Sequence, residues 1–555
     1  MNNKEKRFLI IADLFVFALL IYPIFLGGIV GGYDPGFHMA RIQTLASSLA
    51  SGHFPNPIGF EYLDKFGYGI GFFYGNFFIY PFAVIKLLGA STFQAYVLYL
   101  ITFVFLNIIS INYVVHKIFN NTWATILSAP IYLSSYYFVG VIYFRAAAGE
   151  LTAFAIIPWI FLSVFKIIHE HDNYWVMLGV SCSLLLVSHI LSFLITLGTV
   201  LLFFVMNLAL IFKHKNIFLS FLKGGLLFLG LSSVFLFSFV EQYLTQKYVS
   251  TAVDKTGKYL VFVNSDWLPN HLFDSIQFVS INGTFLVLLL IFSFIYYLIK
   301  GKGFHFSDRI IPQSFIIIII YGSLLLSSIL LHLVVSVFKP LILLQVMTRV
   351  NVVMLPLLTF VVANALGEII GKMPKFKIPV TTILIAILAI ITINFPIKNN
   401  LAIVSQKKAP IPQLSVSMGE YEPNAFMNYN NENNFKLNTR FLEKHENYSV
   451  MKNDHRQVNV DIDSDQAGKT IMLPRLYYKG YHVKLHYRGK SITNPVTSRN
   501  GFVATKLPDN FKSGTISVTY RLTKMARIGW VISLLSLAFL IWYLFKRKNE
   551  LTASD

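Results

Sequence analysis

The chain has 555 residues, 55% of them hydrophobic and 13% charged, with a mean hydropathy of +0.61 and a formal net charge of +20. A soluble chain carries about 25% charged residues, so a soluble enzyme is excluded, and the one cysteine, Cys182, excludes an intrachain disulfide or a cysteine metal cluster. Lys and Arg stand at the ends of apolar runs, which points to anionic lipid, lipid phosphate or an acidic wall polymer rather than nucleic acid.

The chain begins with Lys4, Lys6 and Arg7 ahead of an apolar run too long for a signal peptide, so residues 8–29 read as a first transmembrane helix. Asp34-Pro35 then reads as a helix start, with a carboxylate at the N-cap and proline at the first helical position. Ile42, Leu45, Ala46 and Leu49 recur at helical spacing up to Ser51-Gly52. Asp34, His38 and Arg41 share the opposite face, predicting an amphipathic helix on the membrane surface with that face toward water. Capping predicts a lowered pKa for Asp34. An aromatic, glycine-rich run from Phe66 to Asn76 follows, and as plain structure it reads as an interfacial belt.

Further spans are expected near 92–116, 122–139, 150–168, 174–190, 191–212, 219–241, 283–299, 311–337, 346–368, 378–395 and 527–545. With the N-terminus inside and 72–88 not crossing, Lys117, Lys166, Lys213, Lys300, Arg309, Lys372 and Arg547 all fall inside. Counting 72–88 as a crossing inverts the later loops and breaks the positive-inside rule. Both termini are therefore expected in the cytoplasm of a bacterial plasma membrane, with 72–88 re-entrant or surface-lying. The division expected is a membrane domain over 1–395 that includes the first outer loop (31–91), an extracytoplasmic β-rich domain over 396–525, and a terminal helix and tail over 526–555.

This topology collects the polar residues at helix ends on one outer face: Asp34, His38, Arg41, Arg145, Glu150, His189, Glu241, Gln345 and Arg349. An ionised group at membrane depth costs about 2.5–3.5 kcal/mol on insertion scales, so retained ones serve a site or pair with one another. Arg145–Glu150 also reads as a simple snorkelling pair. The loop between Glu241 and Thr284, with Asp254, Lys255, Asp266-Trp267 and Asp274, has no metal-ligand spacing and reads as a lid. From Lys469 to Arg521 the pattern alternates as in strands, with turns at Arg488-Gly489-Lys490, Arg499-Asn500-Gly501 and Lys512-Ser513-Gly514. Its Lys and Arg residues suit a polyanionic partner, or are solvated strand faces.

Asp34-Pro35-Gly36-Phe37-His38-Met39-Ala40-Arg41, followed by Gly67-Tyr68-Gly69 and Phe73-Tyr74-Gly75, resembles the first outer loop of GT-C fold membrane glycosyltransferases. The same residues resemble YfhO-like bacterial membrane proteins and those called "6-pyruvoyl-tetrahydropterin synthase-related". Arg145…Glu150, Ser188-His189, Gln345…Arg349 and Pro474–Tyr481 resemble later blocks of the same group. The resemblance implies a GT-C-like fold of about twelve transmembrane helices. It also implies sugar transfer from a polyprenyl-phosphate donor at the outer membrane face, onto an acceptor such as a teichoic acid or wall polysaccharide. It assigns the general base to Asp34. Tyr33 replaces the second acidic residue that many GT-C members carry, so no metal and no cofactor are expected. The chemistry needs cations where phosphate charge develops, for which His38, Arg41, Lys86, Arg145, His189 and Arg349 are candidates, with Glu150 and Gln345 beside them. The alternative is a flippase or transporter of lipid-linked sugars, which should place polar residues at the bilayer midplane and show a repeated half. The chain shows neither.

Overall fold

The computed structural model describes residues 1–27, 34–143, 145–170, 174–251, 283–300, 310–326, 328–337, 347–404, 419–433, 439–462 and 466–554. The predicted lid residues Asp254, Lys255, Asp266, Trp267 and Asp274, and the candidate Gln345, lie outside the described residues. Two compact units emerge: Met1–Pro35 with Val97–Leu229 and Tyr259–Pro412, and Gly36–Tyr96 with Gly230–Lys258 and Gln413–Asp555.

Six described helices are long and apolar enough to cross a membrane: Asn3–Phe25, Thr92–Phe119, Ala148–Glu170, Lys215–Thr245, Met347–Gly371 and Lys524–Glu550. Thr122–Leu133 and Tyr136–Tyr143, bent by 51°, make a seventh as a pair. The chain is a mainly α, multi-pass membrane protein with a small β-rich module. The remaining predicted spans fall on shorter apolar helices such as Trp175–Leu186 and Ile190–Met206. A 12-residue helix such as Trp175–Leu186 reaches about 18 Å, well short of a hydrocarbon core of ~30 Å. In the run 72–88 the longest α-helix is Tyr80–Leu87, 8 residues, or about 12 Å.

In the first unit the helix Asn351–Gly371 is the axis. It is buried along almost its whole length and packs on the helices Thr122–Leu133, Ala148–Phe165, Thr284–Ile299 and Ile310–Leu326. Near its far end Gly367 lets the backbone of Ala124 approach; a Cβ at 367 would stand 2.5 Å from the Ala124 nitrogen. Small residues at such crossings replace the hydrophobic drive that lipid does not supply. The start of this helix sets the place of Arg349, in the turn Met347–Val350 just before it.

The second unit carries the β module. Its strands are β1 (Ser449–Asn453), β2 (Gln457–Ile462), β3 (Thr470–Leu476), β4 (Tyr481–Tyr487), β5 (Lys490–Asn494), β6 (Thr497–Arg499), β7 (Phe502–Lys506) and β8 (Gly514–Tyr520). They form two antiparallel sheets, ordered β1-β2-β8-β4-β5 and β3-β7-β6. Burial alternates along β4, with Tyr481, Val483 and Leu485 inward, as a period of two requires.

The aromatic run of the 36–96 segment is part of the same core, not an interfacial belt. Ile58, Phe60, Phe66, Phe72 and Phe73 cluster with Val458, Val483 and Ile516. Gly69 is needed there because a Cβ would meet the Tyr478 ring at 2.4 Å. The helix Pro35–Ala50 also departs from expectation, because its polar side is inside the protein. His38, Arg41 and Ser48 are each 2% exposed. Buried polar groups need partners, and the same unit supplies them: Asn76 and the Gly75 carbonyl for Arg41, and the Asn56 amide for Ser48.

Candidate functional site

Glu150 is the centre of a polar cluster in the first unit. It sits in the first turn of the helix Ala148–Phe165, where the helix dipole favours a carboxylate. Its side chain is 1% exposed, and four donors converge on it. Arg145 is bidentate, Nη1 to Oε2 at 3.0 Å and Nη2 to Oε1 at 2.9 Å. Arg349 donates Nε to Oε1 at 3.0 Å, and the Tyr137 hydroxyl donates to Oε2 at 2.8 Å. Such charge-assisted, forked bonds are the strong ones. Arg145 is held by a tight turn in which its N–H donates to Gly140 and Ala146 takes a φ of +52°. A non-glycine residue in that region costs on the order of 1–3 kcal/mol and persists only where its surroundings hold it. The arginines remain reachable, with side-chain exposures of 21% for Arg145 and 12% for Arg349.

Asp34 adjoins this cluster. Its backbone N–H donates to the Arg145 carbonyl at 3.1 Å. Among the described residues its carboxylate receives no hydrogen bond, so the expected cap bond is not made. The pKa follows suit: burial pushes the Asp34 carboxyl up, with Arg145 and Arg349 opposing and Glu150 adding to the rise. The capping argument predicted the opposite sign. It failed because a half-buried carboxylate without donors loses hydration and gains no bond in return. His189 caps the helix Ile190–Met206, its Nδ1 accepting from the Ser192 N–H at 3.2 Å, and lies within electrostatic range of Glu150.

His38 and Arg41 belong to the second unit and form a cluster of their own. Arg41 donates Nη2 to the Gly75 carbonyl at 2.6 Å and to Asn76 Oδ1 at 2.9 Å, and Nε to the same Oδ1 at 3.2 Å. Its Nη1 lies 3.3 Å from His38 Nδ1, and its guanidinium stands 4.1 Å from the centre of the Tyr74 ring. Arg41 thus braces the 74–76 turn. Lys86 lies half-buried near the end of Tyr80–Leu87, and among the described residues it makes no side-chain hydrogen bond or ion pair. Tyr137 was not singled out from sequence: it is one of 29 tyrosines, and no spacing marks it. Asn76 is read from sequence only as the end of the aromatic run, because its partner Arg41 stands 35 residues away.

Among the described residues no group of three or more His, Cys, Asp or Glu side chains is placed to hold a metal ion. No family model matches the chain, and no curated protein matches it. Solved structures that match include ArnT from Cupriavidus metallidurans, determined with undecaprenyl phosphate bound. The identity is 13%, covering 65% of this chain and 77% of that one, with a TM-score of 0.31. A TM-score this low is too weak to carry an inference about fold or activity.

Proposed function

We propose that the chain is a GT-C-type glycosyltransferase. In this reading it moves a sugar from a polyprenyl-phosphate donor to a cell-envelope polymer, a teichoic acid or wall polysaccharide, at the outer membrane face. The observation that carries the reading is the pair of guanidinium groups gripped by one buried carboxylate, beside a second carboxylate that receives no hydrogen bond. Arg145 and Arg349 set two positive charges against Glu150 and Asp34, and their partly exposed guanidinium groups face where an anionic group such as a lipid phosphate would take charge as Asp34 is protonated. Glu150 positions the arginines, since its oxygens are occupied by Arg145, Arg349 and Tyr137.

The acceptor hydroxyl gives its proton to Asp34 as its oxygen attacks the anomeric carbon. The bond from that carbon to the phosphate oxygen breaks, and the electron pair leaves with the phosphate. Arg145 and Arg349 balance the charge that develops there. The upward shift of Asp34 makes it a stronger base than an ordinary aspartate.

Asp34→Asn tests the reading. It keeps size and polarity but cannot accept the proton, so transfer should fall by roughly 10²–10⁴ at unchanged protein level. The assay is sugar incorporation into envelope polymer in cells whose only copy carries the substitution. Incorporation at the normal rate refutes the base and moves the transporter reading ahead.

A further inference from the structure

A cleft of about 420 Å³ opens in the second unit, far along the chain from the Glu150 cluster, and lined by Thr245, Gln246, Lys247, Asn424, Asn428 and Tyr477 with Ala425 and Ser498. Its size lies within the ~300–1,000 Å³ of small-molecule sites. It is built where three elements meet. The end of the helix Lys215–Thr245 and the residues just beyond it form one wall. Gln246 Nε2 donates to the Tyr477 carbonyl at 2.6 Å, and the Lys247 carbonyl accepts from the Asn424 N–H at 2.9 Å. The helix Asn424–Asn433 forms a second wall, on which Asn424 and Asn428, one turn apart, share a face. Tyr477 and Ser498 of the β module complete it.

The walls are fixed from behind. Phe426 is 2% exposed, and its ring stands 5.4 Å from the Phe502 ring, edge to face. Gly501, at φ +79°, lies so close that a Cβ would stand 2.5 Å from the Phe426 nitrogen. The Tyr477 N–H donates to the Gly501 carbonyl at 2.8 Å. Against this rigid backing, the lining side chains of Lys247, Asn424, Asn428 and Ser498 make no hydrogen bond or ion pair among the described residues. Polar side chains with hydrogen-bonding capacity to spare, carried on a fixed backbone, are what a polar ligand requires.

We infer that this cleft binds a phosphate-bearing polyol segment. The uncommitted amides of Asn424 and Asn428 and the Ser498 hydroxyl, each able to donate and accept, match a ligand crowded with hydroxyl groups. Lys247 is the single charged residue of the lining, and a lone ammonium fits one phosphate as a point charge. Tyr477 adds an aromatic wall with a polar tip. That the segment is the acceptor polymer rests on the transferase reading; that the cleft binds it does not.

The test is equilibrium binding to the full-length protein in nanodiscs, with a synthetic glycerol-phosphate trimer as probe and maltotriose and inorganic phosphate as controls. The trimer should bind saturably, and Lys247→Ala and Asn428→Ala, both at exposed positions, should each weaken it at least tenfold. Asp34→Asn should bind the trimer as the wild type does, so a failure of the catalytic reading leaves this result intact. Absence of saturable binding overturns the inference, as does unchanged binding in the variants. Equal binding of maltotriose removes the charge requirement, and equal binding of inorganic phosphate removes the polyol; either overturns it.

Discussion

Replacing Glu150 by glutamine probes whether the cluster is organised as described. The carboxylate is 1% exposed and accepts from Arg145 twice, from Arg349 and from Tyr137. Hydrogen bonds to charged groups contribute roughly 1.5–3 kcal/mol each, but bonds to one group are coupled and do not add. The better measure is the cost of removing one partner from a buried ionic network, about 3–5 kcal/mol, because the remaining charges lose their counter-ion. Glutamine also turns an N–H₂ group toward donors. The expected loss of unfolding free energy is therefore about 3–5 kcal/mol. Chemical unfolding of the purified protein in micelles measures it, with Asp34→Asn as a control expected within about 1 kcal/mol of wild type, since no hydrogen bond is lost there. The double variant Glu150→Gln/Arg349→Gln should lose less than the sum of the singles, by roughly 0.5–3 kcal/mol. A Glu150→Gln protein within about 1 kcal/mol of wild type, or strict additivity, refutes the hub.

Burial, and then the neighbouring Glu420, push the Glu422 carboxyl up to about 7. A raised folded-state pKa gives stability that is present below the ordinary value near 4.5 and is lost as the pH rises through about 7. Thermal unfolding should therefore fall from pH 5 to pH 8 more steeply in the wild type than in Glu422→Gln, and identical profiles would count against the assignment. For topology, in a Cys182→Ser background, a cysteine at Ser491 in β5 should react with an impermeant thiol reagent added to intact cells, and one at Lys372 should not. Labelling at Lys372 would invert the expected orientation.

What the sequence made legible depends on the range of the interaction. The strands of the β module announce themselves through local alternation, as in Tyr481, Val483 and Leu485, because a period of two is written within seven residues. Arg145 and Glu150, five residues apart, are equally easy to pair. The arrival of Arg349, 199 residues from Glu150, is a product of helix packing that no spacing encodes. The polar face of Pro35–Ala50 shows the complementary limit. Helical periodicity says that His38 and Arg41 share a side, but the same pattern serves a face turned to water and a face turned to a partner. Asn76, 35 residues from Arg41, decides between them. The pKa of Asp34 was misread for a related reason: proline and aspartate mark a helix start, yet only the surroundings determine whether the cap bond forms and how much water is lost.

The ties between the 36–96 segment and the β module set an order of events during synthesis. Arg475 donates Nη1 to the Lys65 carbonyl at 2.6 Å across 410 positions of chain, and Arg456 donates Nε to the Ser51 carbonyl at 3.0 Å across 405. The Arg475 guanidinium also covers the Phe60 ring at 4.6 Å. At ~5–20 residues per second a ribosome needs about 20–80 s to make the 410 residues between donor and acceptor. Throughout that interval Phe60, Phe66, Phe72 and Phe73 exist without the strands that bury them. The core of the unit closes only after the last strand, β8, has emerged. Termination before β8 takes Ile516, Val518 and Tyr520 out of the cluster that buries Phe60, Phe66, Phe72 and Phe73, and leaves an aromatic surface uncovered.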